Sequence, residues 1–203
     1  MEHDVLELEV AFDYRCPFAR NAHEVVLAGL EAGAPWTVRF TPFSLSQAKV
    51  EPGGTDVWDA PESDSGLLAL QVGVAIRDGQ PEHFLAAHRA LFALRHDHGG
   101  NLRSAEALRD ALSGTGVDVD ATLSEVAGGV PLKSVRDEHT RLVEEHEVWG
   151  VPAFIAGGQA AFIRLMDRPS HDPAESIAAI ERIVAMLTTW PSLNEFKHYS
   201  ISR

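Results

Sequence analysis

Leu6, Leu8, Val10 and Phe12 alternate with Glu7, Glu9 and Ala11, and a period of two predicts a strand. The chain then turns at Cys16-Pro17. Ala22, Val25, Val26, Gly29 and Leu30 follow at helical spacing, and Gly33 is placed to close that helix. Pro17 suits the first helical position, where a missing N–H costs nothing. Trp36, Val38 and Phe40 alternate with Thr37, Arg39 and Thr41, which predicts a second strand. Residues 5–43 therefore predict a β-α-β unit with a cysteine at the start of its helix.

Residues 44–60 are rich in Pro, Gly, Ser and Asp and read as a loop. Over 62–128 the pattern turns helical: Leu67, Leu70 and Val74, then Phe84, Ala87, Leu91 and Leu94, are spaced for buried faces. Ser104 is an N-cap candidate before Leu108 and Leu112. This stretch reads as a helical insertion within a single domain spanning 1–203. Leu132, Val135, His139, Leu142, Val143 and His146 predict one face of a further helix, ended by Gly150-Val151-Pro152. Two short apolar runs, Ala153–Ala156 and Ala160–Leu165, flank Gly157-Gly158, a hairpin signal. Asp172-Pro173-Ala174-Glu175 then opens a last helix with core positions Ile177, Ile180, Ile183, Val184 and Leu187. The predicted order is β-α-β, helical insertion, α-β-β-α, an α/β fold.

Composition narrows the function. A hydrophobic fraction of 45% supports an ordinary core, and no apolar run approaches the ~18 residues that span a bilayer. A formal charge of −13 repels nucleic acid and anionic membranes, so neither is expected as a partner. The acidic start Met1-Glu2-His3-Asp4 lacks the basic region of a secretory signal. The single cysteine excludes an internal disulfide framework. The expectation is a cytoplasmic protein.

That cysteine lies in Asp13-Tyr14-Arg15-Cys16-Pro17-Phe18-Ala19. The segment has the spacing of a C-x-x-C redox motif with alanine at the second cysteine position. A thiol at a helix N-terminus faces unpaired N–H groups and the positive end of the helix dipole, which lower its pKa and raise its reactivity. Arg15 is a further candidate source of positive charge. The alternative is a small buried hydrophobe, the usual fate of a lone cysteine.

With Cys16-Pro17-Phe18-Ala19 after a strand, a helical block, and Gly150-Val151-Pro152 before a hairpin and final helix, the chain resembles the DsbA-like branch of the thioredoxin superfamily over roughly 5–189. Its thioredoxin-like parts are 5–43 and 130–189, with 62–128 inserted. FrnE-like and mycothiol-linked bacterial oxidoreductases are similar in length and helical content. The resemblance implies thiol–disulfide chemistry with Cys16 as nucleophile and Pro17 and Phe18 as the intervening dipeptide. It also implies a cis-proline loop at Val151-Pro152, offering the Val151 backbone to a bound thiol or disulfide. No covalently bound cofactor is implied. Ala19 cannot resolve a Cys16 adduct, so a small thiol, mycothiol or glutathione, is the expected co-substrate. A homodimer is compatible with the resemblance.

Two other functions compete with monothiol exchange. One is a thiol-cofactor-dependent transferase or isomerase, as in the related kappa-type glutathione transferases and chromene-carboxylate isomerases, which carry serine at this helix start. The other is a non-catalytic thioredoxin-like binding module with Cys16 sealed in the interior. Arg164 and Arg168 flank the hairpin end; Arg164 is the candidate clamp for a cofactor carboxylate. His96-Asp97-His98, with His88 upstream, is the densest histidine cluster but lacks converging ligands and reads as a solvated loop. His139 and His146 read as partly buried structural histidines, and His23, two helical turns from Cys16, lies too far for a direct base.

Overall fold

The computed structural model describes residues 5–198. Strand β1 (Leu6–Phe12) lies at the sheet's interior and pairs in parallel with β2 (Trp36–Pro42), Leu6 opposite Trp36 and Phe12 opposite Pro42. Its other edge takes β3 (Ala153–Ala156) antiparallel, and β4 (Gln159–Phe162) completes the order β2-β1-β3-β4. A parallel pair needs a long crossover, which α1 (Pro17–Glu31) supplies; β3 and β4 need only the Gly157-Gly158 turn. Both turn glycines have positive φ, +57° and +75°, the left-handed backbone that a tight hairpin requires.

Between the two halves of the sheet run α2 (Leu67–Gly79), α3 (Phe84–His96), α4 (Ala105–Leu112) and α5 (Val119–Ala127). Helix α6 (Val130–His146) leads back to β3, and α7 (Pro173–Thr189) closes the fold against α1. Side-chain caps begin the helices as predicted at Ser104 and Asp172, with Ala107 N–H donating to Ser104 Oγ at 3.2 Å and Ala174 N–H to Asp172 Oδ1 at 2.9 Å. Asp118 caps α5 in the same way. Each such cap is worth roughly 1 kcal/mol. The alternation of β1 holds for Leu6 to Val10; beyond it both Ala11 and Phe12 are buried.

Three local expectations change. Val143 lies on the exposed side of α6, whose buried stripe is Pro131, Val135, His139 and Leu142. Strand β4 stops at Phe162 rather than running to Leu165. There the Asn21 side-chain amide donates to the Leu165 and Met166 carbonyls, both at 3.0 Å, and draws the chain onto α1. His96 is the last residue of α3, not part of a solvated loop: its Nε2 donates to the Tyr14 carbonyl at 2.9 Å, while Asp97 pairs with Arg20.

The interior holds several neutral imidazoles. His23 and His88 are fully buried and His139 nearly so. Burial pushes His23 down to about 3 and His139 to about 4, and burial reinforced by His23 holds His88 well below its ordinary range. Unfolded histidines titrate near ~6.5. Between pH 6.5 and about 4 the unfolded chain therefore binds protons that the native state refuses, and stability falls as pH falls. By pH 5 the loss is about 2 kcal/mol each for His23 and His139, and His88 acts in the same direction. Urea denaturation should show a midpoint that is level from pH 7 to 8 and drops steeply from 6.5 to 5. A level midpoint down to pH 5 contradicts neutral histidines in the core.

Candidate functional site

Antiparallel pairing places the end of β1 against the start of β3, with Ala11 opposite Ala153. The two loops that meet there are Asp13–Cys16 and Gly150–Pro152. Cys16 N–H donates to the Asp13 carbonyl at 2.9 Å, closing a tight turn, and Cys16 itself is the N-cap of α1 with extended backbone, φ −87° and ψ 117°. Pro17 takes the first helical position. Ala19 N–H donates to Cys16 Sγ at 3.4 Å, and the thiol S–H donates to the Val151 carbonyl at 3.3 Å. The Val151–Pro152 peptide bond is cis.

Four side chains build the rim. The Arg164 guanidinium lies 5.2 Å from the Phe18 ring centre and 5.7 Å from that of Phe162, within cation–π range. Phe162 in turn meets Trp149 at 4.7 Å, and Trp149 is 70% exposed. An apolar shelf with one cation therefore borders a thiol that is itself only 8% exposed. Beside Arg164, between α1, residues 164–170 and α7, opens a cleft of about 640 Å³. Among the described residues, no three His, Cys, Asp or Glu side chains gather as a metal cluster would.

The expected depression of the thiol pKa is not what this geometry gives. Burial pushes the Cys16 thiol up, the Ala19 and Phe18 N–H groups pull it down, the Asp13 carboxylate pushes it up, and Arg164 pulls it down; the balance lies above the ordinary value. The bond to the Val151 carbonyl acts in the same sense as burial, because only the neutral thiol can donate it.

Arg15 adds nothing at the sulfur. Its guanidinium turns away to Asp13, Ser46 and Asp64, tying the Cys16 turn to the residues before α2. Arg168 is likewise engaged, donating to Glu24 at 2.7 and 2.9 Å, whereas Arg164 has no carboxylate partner among the described residues. His139 accepts from Ser44 N–H at 3.2 Å and packs on Phe43, away from any role at the sulfur.

The structure thus gathers Cys16, Pro17, Phe18, Val151, Pro152 and Arg164 at one locus. It adds Trp149, an aromatic residue directly before Gly150-Val151-Pro152, and Phe162, within the second apolar run of the hairpin. Replacing Arg164 with Gln removes the one cation that favours the thiolate. Iodoacetamide should then alkylate Cys16 two- to threefold more slowly at pH 8. The difference should shrink at 1 M salt, where the Debye length is only about 3 Å. Equal rates at low salt contradict the electrostatic role of Arg164.

The comparisons agree with this architecture. Crystal structures of low identity share the fold. Reduced DsbA1 from Neisseria meningitidis is 14% identical with a TM-score of 0.60, covering 93% of this chain and 88% of that one. DsbA from Pseudomonas aeruginosa is 20% identical with a TM-score of 0.57, covering 95% and 90%. A 2-hydroxychromene-2-carboxylate isomerase is 14% identical with a TM-score of 0.63, covering 94% of this chain and 100% of that one. No curated protein matches the sequence. The family model for the DSBA-like thioredoxin domain matches residues 7–172, from β1 to the cap of α7. The chain belongs to the DSBA-like thioredoxin domain family.

Proposed function

We propose that this protein is a monothiol thiol–disulfide oxidoreductase of a reducing, cytoplasmic compartment. The observation that carries the reading is the seat of Cys16 Sγ, between the Ala19 N–H at the start of α1 and the Val151 carbonyl before Pro152. Ala19 occupies the place where a C-x-x-C motif would carry its second sulfur. Cys16 loses its proton to solvent, and the thiolate attacks a disulfide R–S–S–R′. A Cys16–S–S–R bond forms and R′–S⁻ leaves. An external small thiol then attacks the mixed disulfide, leaves as its own disulfide with R, and returns Cys16 as thiolate, so that each exchange conserves electrons.

The raised thiol pKa sets the direction. A high-pKa thiolate is intrinsically more nucleophilic but leaves slowly. Cys16 is thus suited to accepting a thiol half from a substrate and holding it, rather than to driving oxidation. Glutathione and mycothiol both fit the resolving step; an Arg164 contact favours the thiol that carries carboxylates.

A second reading has its own observation: a thiol held neutral at 8% exposure, with no second sulfur beside it. In that reading the α1 N-terminus orients the thiolate of a bound cofactor toward an electrophile, as in a transferase or isomerase, and Cys16 is replaceable.

Incubation with glutathione disulfide at pH 8 should add one glutathionyl mass to the protein, mapped to Cys16. The adduct should accumulate, because release is the slow step, and then disappear with excess reduced thiol. Cys16→Ser should abolish it. A Cys16→Ser protein that still turns over an electrophile with a reduced thiol supports the transferase or isomerase reading. No adduct and no turnover leaves a binding module with a sealed thiol.

A further inference from the structure

Tyr14 lies two residues before Cys16 and is fully buried. Its hydroxyl meets His88 Nδ1 at 2.8 Å, His88 Nε2 meets His23 Nδ1 at 2.8 Å, and His23 Nε2 meets the Ala11 carbonyl at 3.3 Å. The protons in this chain can be placed in one way only. A carbonyl accepts and never donates, so His23 Nε2 carries a proton and its Nδ1 accepts. His88 Nε2–H therefore donates to His23, which leaves His88 Nδ1 to accept from the tyrosine. Tyr14→His88→His23→Ala11 is a directional series of neutral groups, and it closes a ring around Ala11–Tyr14, the segment joining β1 to the cysteine turn.

The rest of the surroundings holds the same residue. His88, Phe92 and His96 form one stripe of α3 at i, i+4 and i+8. Phe92 packs edge-on to Tyr14 with ring centres 4.9 Å apart, and His96 donates to the Tyr14 carbonyl at 2.9 Å. Helix α2 makes room with Gly73, where a Cβ would lie 2.4 Å from the Tyr14 hydroxyl. Tyr14 lies inside the turn that Cys16 N–H closes by donating to the Asp13 carbonyl. The inserted helices grip the cysteine turn at Tyr14, whose side chain is fully enclosed.

We propose that Tyr14 and His88 are positioning residues for the Cys16 thiol: through their directional hydrogen bond the inserted helix α3 fixes the turn that seats Sγ against the Val151 carbonyl. The proposal rests on the reading of Cys16 as the reactive thiol. It assigns the helical insertion a part in setting that thiol's reactivity, beyond covering the sheet.

The test is the pH profile of Cys16 alkylation by iodoacetamide in folded protein, with folding verified by circular dichroism. Tyr14→Phe keeps the ring and removes the one hydroxyl. With the turn loosened, Sγ leaves its covered seat and its pKa falls; a fall of one unit raises the rate at pH 7 about threefold, the gain in thiolate being partly offset by lower nucleophilicity. His88→Gln keeps one acceptor and one donor at nearly the imidazole spacing, and should retain the parent profile. In the parent, long-range ¹H–¹⁵N spectra should show both His23 and His88 as Nε2–H tautomers. A Tyr14→Phe profile equal to the parent's, a His88→Gln profile shifted as far as that of Tyr14→Phe, or an Nδ1–H tautomer at either histidine overturns the proposal. A Tyr14→Phe shift in a protein whose Cys16 never takes up glutathione disulfide overturns the exchange reading and leaves the positioning role standing.

Discussion

The antiparallel pairing of β1 with β3 is short, running from Glu9 opposite Ile155 to Ala11 opposite Ala153, and the surroundings of the thiol follow from that register. It brings the turn that ends β1 beside the residues that begin β3. The Val151 carbonyl then faces Cys16 Sγ, and Arg164, two residues beyond β4, reaches back over Phe18. A slip of one residue would carry the side chains of β3 to the other face of the sheet. All four residues of β3 are buried, so such a slip is costly, and the site inherits its precision from the core rather than from its own loops.

Within that frame two influences on the sulfur oppose each other. The first turn of α1 supplies N–H groups that favour the thiolate. Enclosure, the Asp13 carboxylate and the Val151 carbonyl favour the neutral thiol. Helix-terminus stabilisation amounts to a fraction of a kcal/mol to about 2 kcal/mol, and desolvation of a covered group can exceed it. The balance therefore falls to burial, and the thiol pKa lies above its ordinary value. The same enclosure keeps Tyr14, His23 and His88 neutral, so the region behind the cysteine is a polar network without net charge.

Much of the fold was legible before any coordinates. Period-two stretches at 6–12 and 36–41, helical spacing after Pro17, the Gly157-Gly158 hairpin and the Asp172 cap all report local physics: pleat, pitch, missing N–H groups and permitted φ. The ends of elements were less legible where a distant partner intervenes. Leu165 leaves the sheet because Asn21 binds its carbonyl, and half-buried His96 is held in α3 against the cysteine turn by its bond to the Tyr14 carbonyl. Neither partner is near in sequence, and no periodicity encodes them.

The sequence by itself determined that a single cysteine begins a helix between two strands, with alanine three positions on and a proline before a hairpin later in the chain. Those are properties of residue type and spacing, and the family follows from them. Only the tertiary structure decided what kind of thiol this is. Whether a helix start lowers or fails to lower a thiol pKa depends on which atoms cover the sulfur. Asp13 lies in the same turn, but Val151 and Arg164 lie 135 and 148 positions away along the chain and reach the sulfur through the register of the sheet. Arg15, adjacent in sequence, points elsewhere. Charge and solvent act through space, so proximity along the chain could not reveal them.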